Sequence, residues 1–214
     1  RPRGGEGLGA WVLGGPLGAY LAVALLINMQ TAGTQSLGMQ YQAEVFPSCD
    51  AICLAKLSMA TAATLAASNA LALPVLVRCC GEAPTLFISL CGHFAYCLLL
   101  AFADSPFWLY VNLAPCFFAL MADSIIIGMV SASVPPGLVG RAMGAYNGVV
   151  MLSNVASPPL FAFLFNAYAQ IPASRSHPGL PWLVGSAFVA AAVLLLGCRM
   201  CLAPRRSGGG GRAG

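Results

Sequence analysis

Charged residues are scarce in this sequence of 214 residues, of which only 7% are Asp, Glu, Lys or Arg while 59% are hydrophobic. The mean hydropathy is +0.82. A water-soluble domain needs roughly a quarter of its residues charged, because its surface must be hydrated. The composition therefore excludes a soluble globular protein and predicts that the outer surface of the chain lies in lipid.

Clusters of basic residues and metal-binding patterns are also missing. Apart from Arg205-Arg206 there is no basic cluster, so we expect membrane lipid rather than nucleic acid as a partner. No group of His, Cys or Asp has the spacing of zinc ligands, and His93 and His177 lie far apart in the sequence. We predict no metal site and no cofactor.

Six long apolar segments account for most of the chain. Each meets the length of about 20 residues that a helix needs to cross a bilayer. The segments do not alternate between apolar and polar residues as the strands of a membrane barrel do. We therefore predict an all-α membrane protein with a six-helix bundle over 10–203, preceded by a cytoplasmic loop (1–9) and followed by a disordered Gly-rich cytoplasmic tail (204–214). The predicted helices are about 10–43, 51–77, 83–103, 106–133, 142–169 and 180–202.

The basic residues collect at alternate connections between these segments. With six crossings, eight of the ten Lys and Arg residues fall on one side and only Lys56 and Arg175 on the other. The positive-inside rule makes the richer side cytoplasmic, so both chain ends are predicted to be cytoplasmic. The basic residues on that side are Arg1, Arg3, Arg78, Arg141, Arg199, Arg205, Arg206 and Arg212.

The nine cysteines show no obvious pairing. Cys49 and Cys53 are four residues apart on the non-cytoplasmic side, where they form either a strained disulfide or no bond, and we favour no bond. Cys79-Cys80 and Cys198/Cys201 lie at the cytoplasmic edge. Reversible palmitoylation is an alternative there, although simple exposure is favoured.

Polar residues are dense on one face of the first segment. At 100° per residue, Asn28, Thr31, Gln35 and Gln42 fall within about 80° of one another, and Gln30 lies on a second stripe beside them with Thr34 and Tyr41. An amide facing hydrocarbon costs several kcal/mol without a partner. Hydrogen bonds between helices are one explanation, but a stripe this dense favours a hydrated cavity.

Asp123 is predicted to lie near the middle of the bilayer. A carboxylate there costs about 2.5–3.5 kcal/mol, which favours a proton- or cation-binding site over an acid that merely hydrogen-bonds within the bundle. Asn112 lies on the same helical face. His93 is also in mid-segment, where a packing role is the alternative to a functional one.

The fifth segment carries two interior amides, Asn147 and Asn154, seven residues apart and hence on one face. The same region contains glycines four residues apart, at Gly140, Gly144 and Gly148, and this spacing permits close contact between helices. These features suit a helix that lines a cavity, and an irregular packed helix is the alternative.

Two loop regions carry a resemblance to the major facilitator superfamily of transporters. The stretch from Val134 to Gly144, which includes Gly140 and Arg141, resembles the loop before the eleventh helix in that family. Arg78, Gly81 and Glu82 resemble the cytoplasmic turn that follows the eighth helix. The order of the six segments is similar to the C-terminal half of the family fold across nearly the whole chain.

This resemblance implies a secondary active transporter that moves a small solute by alternating access, with Asp123 as a candidate for proton coupling. It implies a missing N-terminal half of six helices as a partner. The candidates for the substrate or ion pathway are then Asn28, Thr31, Gln35, Asn112, Asp123, Asn147 and Asn154. Weaker candidates are His93, Gln30 and Gln42.

Two other classes compete with a transporter. A receptor, scaffold or degenerate fragment without transport activity is the main alternative. An intramembrane protease is not expected, because Ser131-Ala132-Ser133 lacks the glycines of a G-x-S-G motif and Asp123 has no second intramembrane Asp to pair with. We therefore predict that the chain is not an enzyme.

Overall fold

The computed structural model describes residues 16–170 and 179–202. The predicted loop (1–9), the predicted tail (204–214) and six of the ten basic residues lie outside the described residues. The described part of the chain is helical and contains no strand. Its elements are α1 (Pro16–Val45), α2 (Ala51–Ala67), a π-helical turn (Ser68–Ala72), α3 (Leu73–Cys80), α4 (Glu82–Ala101), α5 (Pro106–Val111), α6 (Leu113–Ala119), α7 (Ala122–Ala132), a 3₁₀ turn (Pro136–Leu138), α8 (Val139–Ala169) and α9 (Leu180–Leu202).

Six helical stretches are long and apolar enough to cross a membrane, which confirms the predicted all-α class with six candidate membrane-spanning helices. We call them spans. The first is α1, the second is α2 with the π turn and α3, and the third is α4. The fourth combines α5, α6 and α7, the fifth is α8 and the sixth is α9. Six such helices are compatible with an integral, multi-pass membrane protein.

The second and fourth spans are interrupted within the predicted segments. Pro74 has no N–H to donate to the Ala70 carbonyl, and the π turn at Ser68–Ala72 accommodates this missing bond. Pro115 likewise has no N–H to donate to the Val111 carbonyl, and α5 ends at Val111. A second interruption in the fourth span, at Leu120-Met121, has no proline and separates α6 from α7.

The spans form two sets of three, spans one to three and spans four to six, and the two sets interlock. The first span packs on the fifth and sixth, just as the fourth packs on the second and third. The third and sixth pack on each other, and the fifth packs on the sixth as the second does on the third. Exchanging spans one to three with spans four to six therefore reproduces these contacts, although the contact between the fourth and fifth spans has no comparable counterpart between the first and second.

Apolar side chains are concentrated in two buried clusters, one near each end of the spans. The first cluster contains Leu17 to Ile27 of α1, together with Leu90 and Met121. The second contains Tyr41, Leu100, Leu109 and other residues toward the opposite end. Between them, at mid-depth, lie polar side chains. This layering positions the polar region away from both membrane surfaces.

The Cys49–Cys53 pair forms a disulfide, so the expectation that these cysteines are unbonded is wrong. Asp50 caps the start of α2, and its carboxylate accepts a hydrogen bond from the Cys53 backbone N–H at 2.8 Å. This cap turns the chain back so that the two cysteines meet. A spacing of four residues alone did not reveal the turn.

The third and fourth spans approach closely at Gly92. A Cβ at this position would lie 2.6 Å from the Phe118 Cβ and 3.1 Å from the Pro115 carbonyl oxygen. Only glycine allows α4 and α6 to meet at this distance. Gly92 directly precedes His93 in the sequence, so this contact also fixes the third span beside the polar layer.

We predict that Gly92→Ala lowers the free energy of unfolding by about 1–3 kcal/mol, because the added methyl group has no room. Gly128→Ala is the matched control, since a Cβ there meets no atom within 4 Å. It should be neutral or stabilising by up to ~1 kcal/mol through helix propensity. Denaturant unfolding in detergent micelles, followed by circular dichroism, measures both. Equal effects of the two substitutions would contradict the close contact.

Candidate functional site

A cavity of about 380 Å³ lies in the polar layer, between the first, second, third and fourth spans. Its polar lining comes from all four spans, and the remaining wall is apolar. A cavity of this size accommodates a small organic solute. The polar lining residues are Gln30, Thr31, Thr34, Gln35, Thr61, Asn69, His93, Tyr96, Asp123 and Ser124.

The first span supplies one wall through a network of amide and hydroxyl groups. The Gln30 side-chain amide donates to the Thr34 hydroxyl at 3.2 Å, and the Thr31 hydroxyl donates to the Gln30 side-chain oxygen at 3.3 Å. Gln30 is fully buried, whereas the Gln35 side chain is exposed. The network holds the buried amide in place and leaves the amide of Gln35 available to a ligand.

Asp123 carries the only charge at mid-depth among the described residues; the other described charged residues lie toward the ends of the spans. Its carboxylate makes no hydrogen bond or ion pair with another described residue. It lies in the first turn of α7, where unpaired backbone N–H groups stabilise an anion. A cation or proton is therefore the natural partner of this carboxylate.

Tyr146 of the fifth span is buried and lies near Asn28 of the first span and Asp123 of the fourth. The Asn28 amide donates to the Ala24 carbonyl of its own helix at 2.9 Å. Asn28 is thus placed behind the cavity wall rather than on its surface.

The interruption between α6 and α7 is held by side chains from two other spans. The Met121 N–H reaches back only to the Phe118 carbonyl, so the Phe117 carbonyl lacks its regular helical donor. The Ser68 hydroxyl donates to the Phe117 carbonyl at 2.6 Å and the Ser89 hydroxyl to the Phe118 carbonyl at 2.7 Å.

Asn69 completes this set of contacts. Its side-chain amide donates to the Leu120 carbonyl at 3.4 Å, and its side-chain oxygen accepts from the Ser124 hydroxyl at 2.9 Å. Ser124 follows Asp123 directly, so these hydrogen bonds fix the start of α7. The position of the carboxylate thereby depends on the π turn of the second span.

His93 faces the cavity from the third span. It is 8% exposed, and its Nδ1 has no hydrogen-bond partner among the described residues. Its ring packs edge-on against Tyr96, with the centroids 6.1 Å apart. A buried imidazole nitrogen without a partner loses hydration free energy, and a ligand or water in the cavity would restore that hydrogen bond.

Asn112 and Gln42 line a smaller cavity of about 30 Å³ toward the disulfide end. This cavity shares Thr61, Tyr96 and Cys116 with the large one. Asn112 is buried at the start of α6, and its Oδ1 is without a partner among the described residues. The two cavities are thus adjacent and lie one after the other along the second and fourth spans.

The remaining candidates lie outside both cavities. Asn147 and Asn154 lie on an exposed face of α8. Gly81, with φ of +88°, is the single residue that joins the second and third spans, between Arg78 and Glu82. Gly140, Arg141 and Gly144 lie exposed in the first turns of α8.

Sequence reasoning missed Ser68, Asn69, Tyr96 and Ser124. One signal was available, because Ser68-Asn69 is an adjacent polar pair in the middle of an otherwise apolar segment that also contains Pro74. Their partners, the carbonyls of the fourth span, depend on which spans are neighbours. That information is absent from a hydropathy pattern.

No protein-family model matches the chain, and no match was found among curated proteins. Within residues 16–170 and 179–202, no group of three or more His, Cys, Asp or Glu side chains is placed to hold a metal ion.

We predict that Ser68→Ala destabilises the protein by about 0.6–2 kcal/mol, because the Phe117 carbonyl then loses its donor inside the bundle. Ser58→Ala is the matched control, since Ser58 is exposed and its hydroxyl donates to Leu54 within the same helix. The control should change stability by less than about 0.5 kcal/mol. Thermal unfolding in detergent compares the two variants, and similar midpoints would show that Ser68 does not hold the interruption.

Proposed function

We propose that this chain is the C-terminal half of a secondary transporter of the major facilitator type, and that it moves a small solute by alternating access. The observation that carries this proposal is the cavity of about 380 Å³ at mid-depth, lined by Asp123, His93 and several amides and hydroxyls. A site at the bilayer midplane is where such transporters bind their substrates.

The two interlocking sets of three spans support the proposed family. In major facilitator transporters, each half of six helices is built from two repeats of three helices in opposite orientation. Because three is odd, the second set begins on the side of the membrane where the first set ends. The contacts described above relate the first span to the fourth, the second to the fifth and the third to the sixth.

The uncovered faces of the second and fifth spans support a missing N-terminal half. The most apolar windows of these two spans are only 6% and 17% buried, against 39–44% for the other four. Asn147 and Asn154 lie on such a face of the fifth span. Amides exposed to lipid are costly, so a second bundle of six helices that covers this surface would stabilise the protein.

The proposed orientation places both chain ends in the cytoplasm. Arg78, Arg141 and Arg199 lie at one end of the spans, as the positive-inside rule requires for the cytoplasmic side. The Cys49–Cys53 disulfide lies at the other end. Disulfides persist in oxidising compartments, so charge and cysteine chemistry agree on the direction.

The cavity favours neutral or cationic solutes over anions. Its described lining contains a carboxylate, amides, hydroxyls and aromatic rings, and neither Lys nor Arg. An anion would meet the unpaired charge of Asp123. A cation, or a proton that accompanies a neutral solute, would neutralise it.

We predict that Asp123→Asn abolishes the coupling of transport to a proton gradient. The full-length protein that contains this chain is reconstituted in liposomes, and uptake of glucose, glutamine, choline and citrate is measured with and without an imposed pH gradient. Wild-type uptake of a neutral or cationic solute should respond to the gradient, because Asp123 exchanges a proton during the cycle. The Asp123→Asn variant should lose that response.

Asp104→Asn is the control, since Asp104 is an exposed carboxylate between the third and fourth spans. It should leave the gradient response intact. Unchanged coupling in Asp123→Asn would remove this carboxylate from the mechanism. Folded wild-type protein that transports no solute would favour a receptor or scaffold, and uptake of citrate alone would contradict the inferred substrate class.

We also predict that the cysteines at the two ends differ in accessibility. In variants that keep only one exposed pair, a membrane-impermeant maleimide applied from the cytosol should label Cys79-Cys80 without prior reduction. Cys49 and Cys53 should react only after reduction and only from the opposite side. Labelling of both pairs from one side would contradict the six-span topology, and labelling with the sides exchanged would reverse the orientation.

A further inference from the structure

An apolar groove of about 250 Å³ runs along the outer surface between the third and sixth spans. Its lining is Cys91 and Phe94 from α4 and Ala190, Val193 and Leu194 from α9. The groove is separate from the polar cavity and contains no residue of the proposed transport site. Its chemistry is that of a binding site for a hydrocarbon chain.

Two exposed cysteines continue the sixth-span wall of this groove. Cys198 follows Leu194 by four residues, and Cys201 follows by seven. At 100° per residue, Ala190, Leu194, Cys198 and Cys201 lie within about 80° of one another on the helix. The thiols therefore lie on the groove-facing stripe, toward the end where α9 finishes.

The neighbouring contacts leave the two thiols exposed. Arg199 is held on another side of α9, where its guanidinium donates to the Pro16 carbonyl at 3.3 Å and lies 5.2 Å from the centre of the Tyr20 ring. A Cβ at Gly197 would lie 3.8 Å from the Phe87 ring, so the third span packs against the edge of this stripe one turn beyond Leu194. The sixth span is thus fixed against its neighbours while Cys198 and Cys201 remain exposed.

The dimensions match an acyl chain attached at this end. Cys198 and Ala190 are eight residues apart, which corresponds to about 12 Å along the helix axis. One leaflet contributes about half of the ~30 Å hydrocarbon thickness, so a long acyl chain anchored near the membrane surface reaches about 15 Å inward. A chain attached to Cys198 would extend past Leu194 to Ala190.

We propose that Cys198, with Cys201 as a second acceptor, is S-acylated and that the attached chain occupies the groove between the third and sixth spans. The Sγ thiolate attacks the thioester carbonyl of a long-chain acyl-coenzyme A, and a new sulfur–carbon bond forms. The carbonyl–sulfur bond to coenzyme A breaks, and the departing thiolate takes up the proton that the Cys198 thiol released. No oxidation or reduction occurs. The proposal rests on the cytoplasmic orientation inferred above, but not on transport activity.

The test uses the full-length protein in cells that contain protein acyltransferases, fed a palmitate analogue that carries an alkyne and a diazirine within its chain. The alkyne should report label on the wild-type protein, and hydroxylamine at neutral pH should remove it. Cys198→Ser/Cys201→Ser should lose the label. The matched control is Cys79→Ser/Cys80→Ser, which removes exposed thiols beside an arginine at the same end of the spans. It should keep the label, because these thiols lie on α3, which does not line the groove.

Illumination tests the groove itself. The diazirine should crosslink within the protein to the peptides that contain Phe94 or Val193, as read by mass spectrometry. Ala190→Phe should fill the groove and remove these crosslinks while the thioester label remains. The proposal is overturned by absence of label, by loss of label only in the Cys79→Ser/Cys80→Ser variant, or by groove crosslinks that persist in Cys198→Ser/Cys201→Ser, which would identify a free lipid as the occupant.

Discussion

The interruption of the fourth span at Leu120-Met121 is the feature on which the rest of the polar region depends. Backbone carbonyls released inside an apolar bundle must find donors, since lipid and aliphatic side chains offer none. Here the donors are Ser68, Asn69 and Ser89 from the second and third spans. These contacts connect three spans at one depth, and they place the start of α7, and with it Asp123, at the cavity.

The interruptions at Ser68–Ala72 and at Leu120-Met121 have different origins, and the first supplies hydrogen-bond donors to the second. The π turn follows from Pro74, which is a local effect of the sequence. The π turn widens the second span at Ser68–Ala72 and places Ser68 and Asn69 against the fourth span. No proline forces the break of the fourth span at Leu120. The interruption in the second span thus stabilises the interruption in the fourth. Without Ser68 and Asn69, the Phe117 and Leu120 carbonyls of the fourth span would lose these donors.

The sequence predicted the six spans and a large part of the cavity, but not its supports. Length and apolar composition are enough to recognise a helix that can cross a membrane, and an intramembrane Asp or Gln is costly enough to signal a site. Gln30, Thr31, Gln35, His93 and Asp123 accordingly meet at one cavity. Asn147 and Asn154 do not join them, since helical periodicity shows that two residues share a face but not what that face contacts. The Cys49–Cys53 disulfide was missed for a similar reason, because it depends on the Asp50 cap.

The single residue between the second and third spans has a mechanical consequence. Gly81 joins α3 to α4 with no slack, in a backbone conformation that other residues rarely adopt. The two helices therefore cannot slide independently along their axes. A displacement of the second span along its axis would also displace the third span, which carries His93 at the cavity.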